Sequence, residues 1–417
     1  MRVLHLSTSD IRGGAAKGTF SLHRALRDMG IESRMLVGRK HSDDPHVSEV
    51  CGYASAFRER IRGVLDAMPL RPYRKTDDSY WTVGWLPRKI VNTVDSHKPD
   101  LVHLHWTGGG FLSVQDLREI QVPVVWTLRD MWAMTGGCHY TAGCNRYTFH
   151  CGRCPQLCSG SPEDLSRRNW ERKYAAWKDM HMSLIAISRW LAECAEASGL
   201  FPNSEISVIP NGVDVRTFRP HPRLRTLREL GMPADKRHIL FGALGALSDR
   251  RKGYLKLIEA INRLRDFGDP DAVTLNVFGD VTTEDLPSLG VETRMFGEID
   301  DDELLSKIYS ACDVMVAPSL QEAFGKTLVE AMASGTPVVA FNNGGPADIV
   351  RHRHTGYLAT PFDPVDLARG IAWCIEDQDR MRRLRRAARE RAESEYDMVR
   401  VGTRYVDLYR HVLETRQ

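Results

Sequence analysis

The run Pro318-Ser-Leu-Gln-Glu-Ala-Phe-Gly-Lys-Thr-Leu-Val-Glu-Ala-Met-Ala-Ser-Gly335 organises the reading of this chain. An apolar segment, Asp313-Val-Met-Val-Ala317, precedes it, and another, Pro337-Val-Val-Ala-Phe341, follows it. Both have the composition of buried parallel strands. Between them Lys326 to Ala333 has helical composition, and Gly335 stands where a helix C-cap is expected. The unit is strand, loop, helix, strand. Glu322 therefore falls in the loop at the carboxyl end of a strand, where open parallel sheets bind ligands. The amides near Gly325, Lys326, Thr327 and Leu328 point out of the helix N-terminus, an end that attracts anions. Glu330 follows a turn or more into the helix. Two carboxylates flanking a phosphate-sized anion site suit a sugar nucleotide, one accepting from sugar hydroxyls and the other from ribose.

Glu322-x7-Glu330 in this setting, with Ala331-x-Ala333-x-Gly335-x-Pro337-Val338-Val339 behind it, closely resembles the donor site of retaining glycosyltransferases of family 4. The resemblance implies the GT-B fold, an α/β architecture of two Rossmann-like, doubly wound domains facing across a cleft. It implies an acceptor-side domain over residues 1–208, a nucleotide-sugar domain over 209–395, and a terminal helix over 396–417 that crosses back. It is sharpest from Ile239 to Phe341 and weakest from His41 to Asn92. Carried over position by position, it makes Glu322, Lys252 and, at the family's histidine position, Arg129 the catalytic candidates, with Lys252 matching the diphosphate-binding lysine. Phe324 to Leu328 and Glu330 are implied to hold the donor, and the turn at Gly297 to lie against the base. Gly13 and Gly14, after the first strand, match the loop facing the diphosphate and the acceptor.

Two positions depart from the family pattern. Relatives usually carry a histidine near the reacting centre where this chain has Arg129, which binds anions but is no base near neutral pH. Relatives often carry a diphosphate-binding arginine where this chain has Ala246, so Arg250 or Arg251 substitutes, or Lys252 acts with helix amides alone.

At 417 residues the chain has room for two ordinary domains. A hydrophobic content of 42% with 27% charged residues belongs to a soluble globular protein. The net charge of +3 is too small to argue for nucleic acid. No apolar run approaches transmembrane length, and Met1 to Ser7 is too soon broken for a signal peptide. The expected location is cytoplasmic, with the inner face of the plasma membrane as an option within it. Nine cysteines without an export signal argue for reduced thiols or a metal site rather than disulfides.

Strands are expected at Val3–Ser7, Arg34–Val37, Leu101–His105, Val124–Leu128 and Leu184–Ile187, separated by helices, the rhythm of a parallel α/β sheet. Over Ala56 to Met68, the residues Phe57, Ile61, Val64, Leu65 and Met68 share one helical face, with Arg58, Arg60, Arg62, Arg71, Arg74 and Lys75 around it. That pattern fits either packing on the domain or a helix lying on an anionic membrane. His103 and His105 share a strand face, with His105 placed to reach the cleft or to be structural.

Residues 136–160 form a cysteine-rich insert. Cys151-x2-Cys154 is a metal-knuckle spacing, and Cys138 and Cys144 complete four thiolates for a structural zinc. His139, His150 and Cys158 are alternative ligands, and free packed thiols are the other reading. The arginines of Asp379 to Glu395 read as a solvated helix face.

The sequence thus points to a retaining transferase. It would move a hexose-type sugar from a nucleoside diphosphate sugar to a glycan or lipid-linked glycan of a bacterial surface polysaccharide, with no catalytic metal. A non-catalytic sugar-nucleotide-binding protein, favoured by Arg129 and Ala246, and a zinc-loop interaction module remain the alternatives.

Overall fold

The computed structural model describes residues 1–50, 55–76, 80–243, 249–280 and 289–415. Ala246 and its glycine neighbour Gly245 lie outside the described residues. The chain divides into two compact units, Met1–Gly212 with Val401–Gln417, and Val213–Arg400.

The first unit is built on seven parallel strands: β1 (Arg2–Ser9), β2 (Glu32–Arg39), β3 (Val47–Glu49), β4 (Leu101–Leu104), β5 (Val124–Leu128), β6 (Ser183–Ala186) and β7 (Glu205–Val208). Their spatial order is β3-β2-β1-β4-β5-β6-β7, so the winding reverses between β1 and β4. Buried on both faces, β4 and β5 read as unbroken apolar-rich runs, as central parallel strands must. The core joins Val3, Leu26, Leu101, Val125 and Ile185 to Val401, Tyr405, Tyr409 and Val412 of the terminal helix Met398–Glu414. Each fully buried side chain of that size contributes roughly 2 kcal/mol relative to exposure, so the returning helix is part of this unit's core.

The second unit has six parallel strands: β8 (Arg237–Ala243), β9 (Val273–Gly279), β10 (Glu292–Gly297), β11 (Val314–Ala317), β12 (Val338–Phe341) and β13 (Gly356–Ala359). Their order, β10-β9-β8-β11-β12-β13, reverses between β8 and β11. Its core comprises Ile239, Phe241, Leu257, Leu275, Val277, Val314, Val316, Val339, Phe341, Leu367 and Ile371. The helix Lys326–Ala333 and the strands on either side of it form over the residues their composition indicated. Gly335 takes φ 78° just past the helix, the left-handed conformation that ends helices at low cost to glycine.

Two arginines of the helix Gln378–Arg391 correct an expectation, while Arg382, Arg383 and Arg386 are exposed as read. Arg385 donates to the carbonyls of Ser310 and Cys312 at 2.6 and 2.7 Å. Arg389 donates to those of Phe218 and Ala333 at 2.7 and 2.5 Å. These guanidinium groups clamp carbonyls the secondary structure leaves open, the Ala333 carbonyl at the end of the glutamate-bearing helix among them.

A second correction concerns the helix Ser55–Asp66. Its inward side chains are Glu59 and Asp66, at 2% exposure each. Glu59 pairs with Arg88, and Asp66 accepts from the amides of Val83 and Gly84 at 2.9 and 2.7 Å. Arg62, read as one of the surrounding cations, donates to the carbonyls of Gly110 and Leu86, both at 2.9 Å. With polar groups facing in, Phe57 (72% exposed), Ile61, Val64 (58%) and Met68 face out.

Candidate functional site

In the second unit the site forms at the β8/β11 reversal, where the crevice of a doubly wound sheet opens. A short turn, Arg250–Lys252, follows the undescribed residues after β8 and ends on Gly253, in the left-handed conformation. A Cβ on Gly253 would meet the Pro318 carbonyl oxygen at 1.8 Å, so only glycine lets this turn lie against the end of β11. The Leu320 amide donates to the Arg251 carbonyl at 2.8 Å and ties the two loops together.

That contact brings Lys252 Nζ to Glu322 Oε2 at 2.7 Å, with Arg251 Nη1 at 3.5 Å from the same oxygen. Arg251 is further held by Asp249 and by the Gln321 carbonyl. Burial pushes the Glu322 carboxyl up, but Lys252 and Arg251 outweigh it and hold its pKa at about 2. The Gly345 amide donates to the Glu322 carbonyl at 2.8 Å, and Gly344 has no room for a Cβ, which would lie 2.7 Å from that oxygen. Glu322 is fixed from both sides, as a preorganised group must be.

Glu330 sits behind it, 3% exposed. Lys326 pairs with Oε1, and the Tyr309 hydroxyl donates to Oε2 at 3.2 Å. Glu330 thus enters any ligand contact already oriented through both oxygens. Of the four amides expected to face outward, that of Leu328 is a correction. It turns back onto the Gly325 carbonyl at 3.1 Å, because the first turn is tight. Gly325 caps this helix at φ 105° with no side-chain cap, and Phe324 is buried beside it against Tyr396. Gly297 ends β10 at φ 67°, with open space where a Cβ would stand.

In the first unit Gly13 caps the helix Gly14–Asp28 at the carboxyl end of β1, and no atom lies within 4 Å of a Cβ on Gly13 or Gly14. Asp10 anchors this loop by accepting from the amides of Ile11, His41 and Ser42. Burial raises its pKa, but these amides and the Ser42 hydroxyl leave it lowered. Asp10 was not singled out in the sequence, since a loop aspartate carries no signal until its amide partners are known.

Arg129, one residue past β5, is 9% exposed. It donates to Asn211, to Thr19 Oγ1 at 3.3 Å and to His105 Nδ1 at 3.1 Å, and its Nε has no partner. Among the described residues no carboxylate pairs with it. Because the guanidinium only donates, His105 accepts on Nδ1 and donates from Nε2 to His5 Nδ1 at 2.8 Å. His103 spends its nitrogens on Tyr409 and Thr127. All three histidines have lowered pKa values, by burial first and by neighbouring charge second, and stay neutral. His105 is therefore a buried support for Arg129. Replacing Arg129 by methionine relieves the burial of a cation without a carboxylate but leaves the acceptors on Asn211 and His105 unmet, so the two effects should offset to within a few degrees of melting temperature. The replacement should lower catalytic efficiency about tenfold or more. Unchanged kinetics with a collapse in melting temperature would make Arg129 a packing residue.

Beside it, Asp130 Oδ2 meets His139 Nδ1 at 2.7 Å, and His139 Nε2 meets Thr82 Oγ1 at 2.8 Å. Both nitrogens of His139 are committed, which removes it as a metal ligand. Asp130 and His139 line a small pocket with Arg129, Trp106 and Trp132. His150 packs on the Trp170 ring and Cys158 is exposed, so neither alternative ligand joins the other cysteines. Cys138, Cys144, Cys151 and Cys154 line one pocket together. Burial pushes the Cys151 thiol up to about 12 and Cys154 up to about 11.

The family model described as Glycosyltransferase Family 4 matches residues 12–217, and the one described as Glycosyl transferases group 1 matches residues 229–391. The glycogen synthase of Mycobacterium tuberculosis is 32% identical over 435 residues, covering 98% of this chain and 94% of that protein. The D-inositol 3-phosphate glycosyltransferase of Nocardia farcinica is 30% identical over 299 residues, 68% of this chain and 60% of that protein. The crystal structure of Anabaena Alr3699/HepE in complex with UDP and glucose superposes with a TM-score of 0.69 at 21% identity, covering 99% of this chain and 100% of that one.

Proposed function

The chain belongs to glycosyltransferase family 4, and from that premise we propose that it is a retaining transferase moving a hexose-type sugar from a nucleoside diphosphate sugar to a glycan or lipid-linked glycan of a bacterial surface polysaccharide. Its fold is GT-B, with a seven-stranded and a six-stranded parallel sheet. The observation that carries the proposal is the Glu322–Lys252 pair, with Arg251 beside it, at the sheet reversal of the second unit.

The chemistry is a problem of charge. The leaving diphosphate gains negative charge as the glycosidic bond breaks, and the sugar becomes oxocarbenium-like. Lys252 and Arg251 are fixed cations for the leaving group, joined by the free amides at the start of the helix Lys326–Ala333. Glu322 holds Lys252 in place and accepts from the sugar hydroxyls. Glu330, braced by Lys326 and Tyr309, accepts from the ribose. Attack on the same face lets the departing phosphate take the acceptor's proton, so neither glutamate acts as a glycosidase-type acid or base. In the first unit the pocket of Trp106, Trp132, Asp130 and His139 suits an acceptor sugar, with apolar faces for the ring and polar groups for hydroxyls.

A panel of nucleotide sugars tests the reading by thermal stabilisation and by release of nucleoside diphosphate. Stabilisation and turnover by one donor support it. Stabilisation without turnover by any donor and acceptor pair supports a sugar-nucleotide-binding protein instead.

The lipid-linked form of the acceptor is favoured by the exposed Phe57, Ile61, Val64 and Met68, flanked by exposed Arg58, Arg60, Arg71, Arg74 and Lys75. Among the described residues no helix is long and apolar enough to cross a membrane. An apolar stripe with cations beside it fits an anionic bilayer surface, at about 1 kcal/mol per cation near the leaflet. Vesicles containing anionic lipid should sediment the wild type at low salt. A Phe57→Ser, Ile61→Ser, Arg58→Ala, Arg60→Ala variant should remain in solution. Equal and salt-insensitive sedimentation of the two would leave the stripe without a membrane role.

A further inference from the structure

We propose that Cys138, Cys144, Cys151 and Cys154 bind one divalent metal ion, of the zinc class, as a structural tetrathiolate centre that fixes the wall of the first unit's pocket. Three sets of observations lead there. The four side chains surround a single pocket, with Gly136, Arg146 and Ser166 closing its sides.

The backbone around the pocket takes the form of a ligand knuckle. Cys151, Gly152 and Arg153 follow one another at φ 60°, 93° and 45°. A Cβ on Gly152 would lie 2.4 Å from the Pro162 carbonyl oxygen, so the turn admits only glycine. The Gly136 amide donates toward the Cys151 sulfur, and those of Gln156 and Leu157 toward the Cys154 sulfur. Amides aimed at sulfur suit thiolates, which accept hydrogen bonds far better than neutral thiols. Ala142, His150, Cys151, Arg153 and Cys158 are five of the nine non-glycine residues with positive φ among the described residues. That concentration of unfavourable backbone in one short loop needs a compensating interaction, and metal ligation supplies one.

The third observation is charge. Lys173, on the helix Leu165–Trp177, is 0% exposed. Its ammonium donates to the carbonyls of Trp132 and Thr135 and lies 3.9 Å from the Trp132 ring centroid. Among the described residues no carboxylate pairs with it. Burial works against its charge first of all, and the sulfurs of Cys138 and Cys151, with Asp130, work for it. Sulfurs ligated as thiolates would sit better beside this buried amine than neutral thiols do. Four thiolates round a divalent ion carry a net charge of −2, and Lys173 then neutralises half of it. Binding releases four protons, one from each thiol, as the four metal–sulfur bonds form.

Among the described residues His5, His103 and His105 are the one group whose ligand atoms all lie within 4.8 Å of one another. They are a poor cation site, since Arg129 donates to His105 and His103 is committed to two hydroxyls. The four sulfurs do not lie that close together, so the proposal requires ligation to draw them inward across the pocket they line. The centre would hold the chain that carries His139, next to Cys138, onto Asp130 and Thr82.

The test is elemental analysis of the full chain purified without chelator. One equivalent of zinc per chain is expected, falling to background in Cys151→Ser and in Cys154→Ser. Should those variants fail to fold, cobalt replacement in the wild type gives the same answer. The thiolate-to-cobalt charge-transfer absorption and intense d–d bands of a tetrahedral centre are expected. Lys173→Leu should release the ion to a chelator faster than the wild type. A metal-free wild type, cobalt without thiolate absorption, or four cysteines recovered as disulfides would each overturn the proposal. Equal release rates in Lys173→Leu and wild type would overturn the charge-compensating role.

Discussion

Glu322→Ala is expected to lower kcat/KM for transfer by about a thousandfold while the second unit stays folded. The size of the effect follows from the two jobs the carboxylate has. It would contact the sugar, and it holds Lys252 at 2.7 Å, in the position from which the lysine would meet the leaving group. Losing it removes a contact and loosens a cation at once. Glu322→Gln separates the two, since the amide keeps the shape and still accepts one hydrogen bond. It should recover donor binding better than turnover. The pH dependence has a definite sign. A carboxyl held at about 2 in the folded chain, against an ordinary value of 4.5, contributes stability that is fully present above the ordinary value. That contribution is lost as pH falls through about 2. Between pH 5 and 8, wild type and Glu322→Gln should therefore give parallel melting curves. Any acid limb of activity in that range belongs to another group. Normal kinetic constants for Glu322→Ala would remove this residue from the site.

Lys252→Met should cost about a hundredfold to a thousandfold in kcat, with a smaller rise in KM. The side chain is 23% exposed and its ammonium rests on a single carboxylate oxygen, so a bound diphosphate would compete for it directly. Its strongest interaction would come as charge builds on the leaving phosphate, which is why the loss should fall on kcat. Arg251 cannot take over, because its guanidinium is spread over Asp249, the Gln321 carbonyl and Glu322. The double variant Glu322→Ala, Lys252→Met should be much less impaired than the product of the single effects, since the two act as one unit. A multiplicative loss would show that they act independently.

The strand–loop–helix–strand unit from Asp313 to Phe341 was legible because its signals agree. Apolar runs, a helix former segment and a closing glycine all place the same boundaries, and the structure has them. The short edge strands β3 and β13 were not read. Val47–Glu49 is three residues in a polar stretch, and Gly356–Ala359 opens on glycine, so neither shows periodicity. At Arg129 the sequence indicated a side chain at a strand's open end. Its burial depends on Asn211, Thr19 and His105, residues up to 110 positions away in the chain. The helix Ser55–Asp66 shows the limit of periodicity most clearly. Its pattern identifies an apolar face but not which face the domain takes. Arg88, Val83 and Gly84 decide that by satisfying Glu59 and Asp66.

The most direct test of retaining transfer from a nucleotide sugar is time-resolved proton NMR of the anomeric signal during turnover of an α-configured nucleoside diphosphate sugar. The account predicts that the first product to appear carries the α-anomeric coupling and that Glu322→Ala forms none of it. A β-configured first product, or transfer that proceeds unchanged in Glu322→Ala, would contradict it.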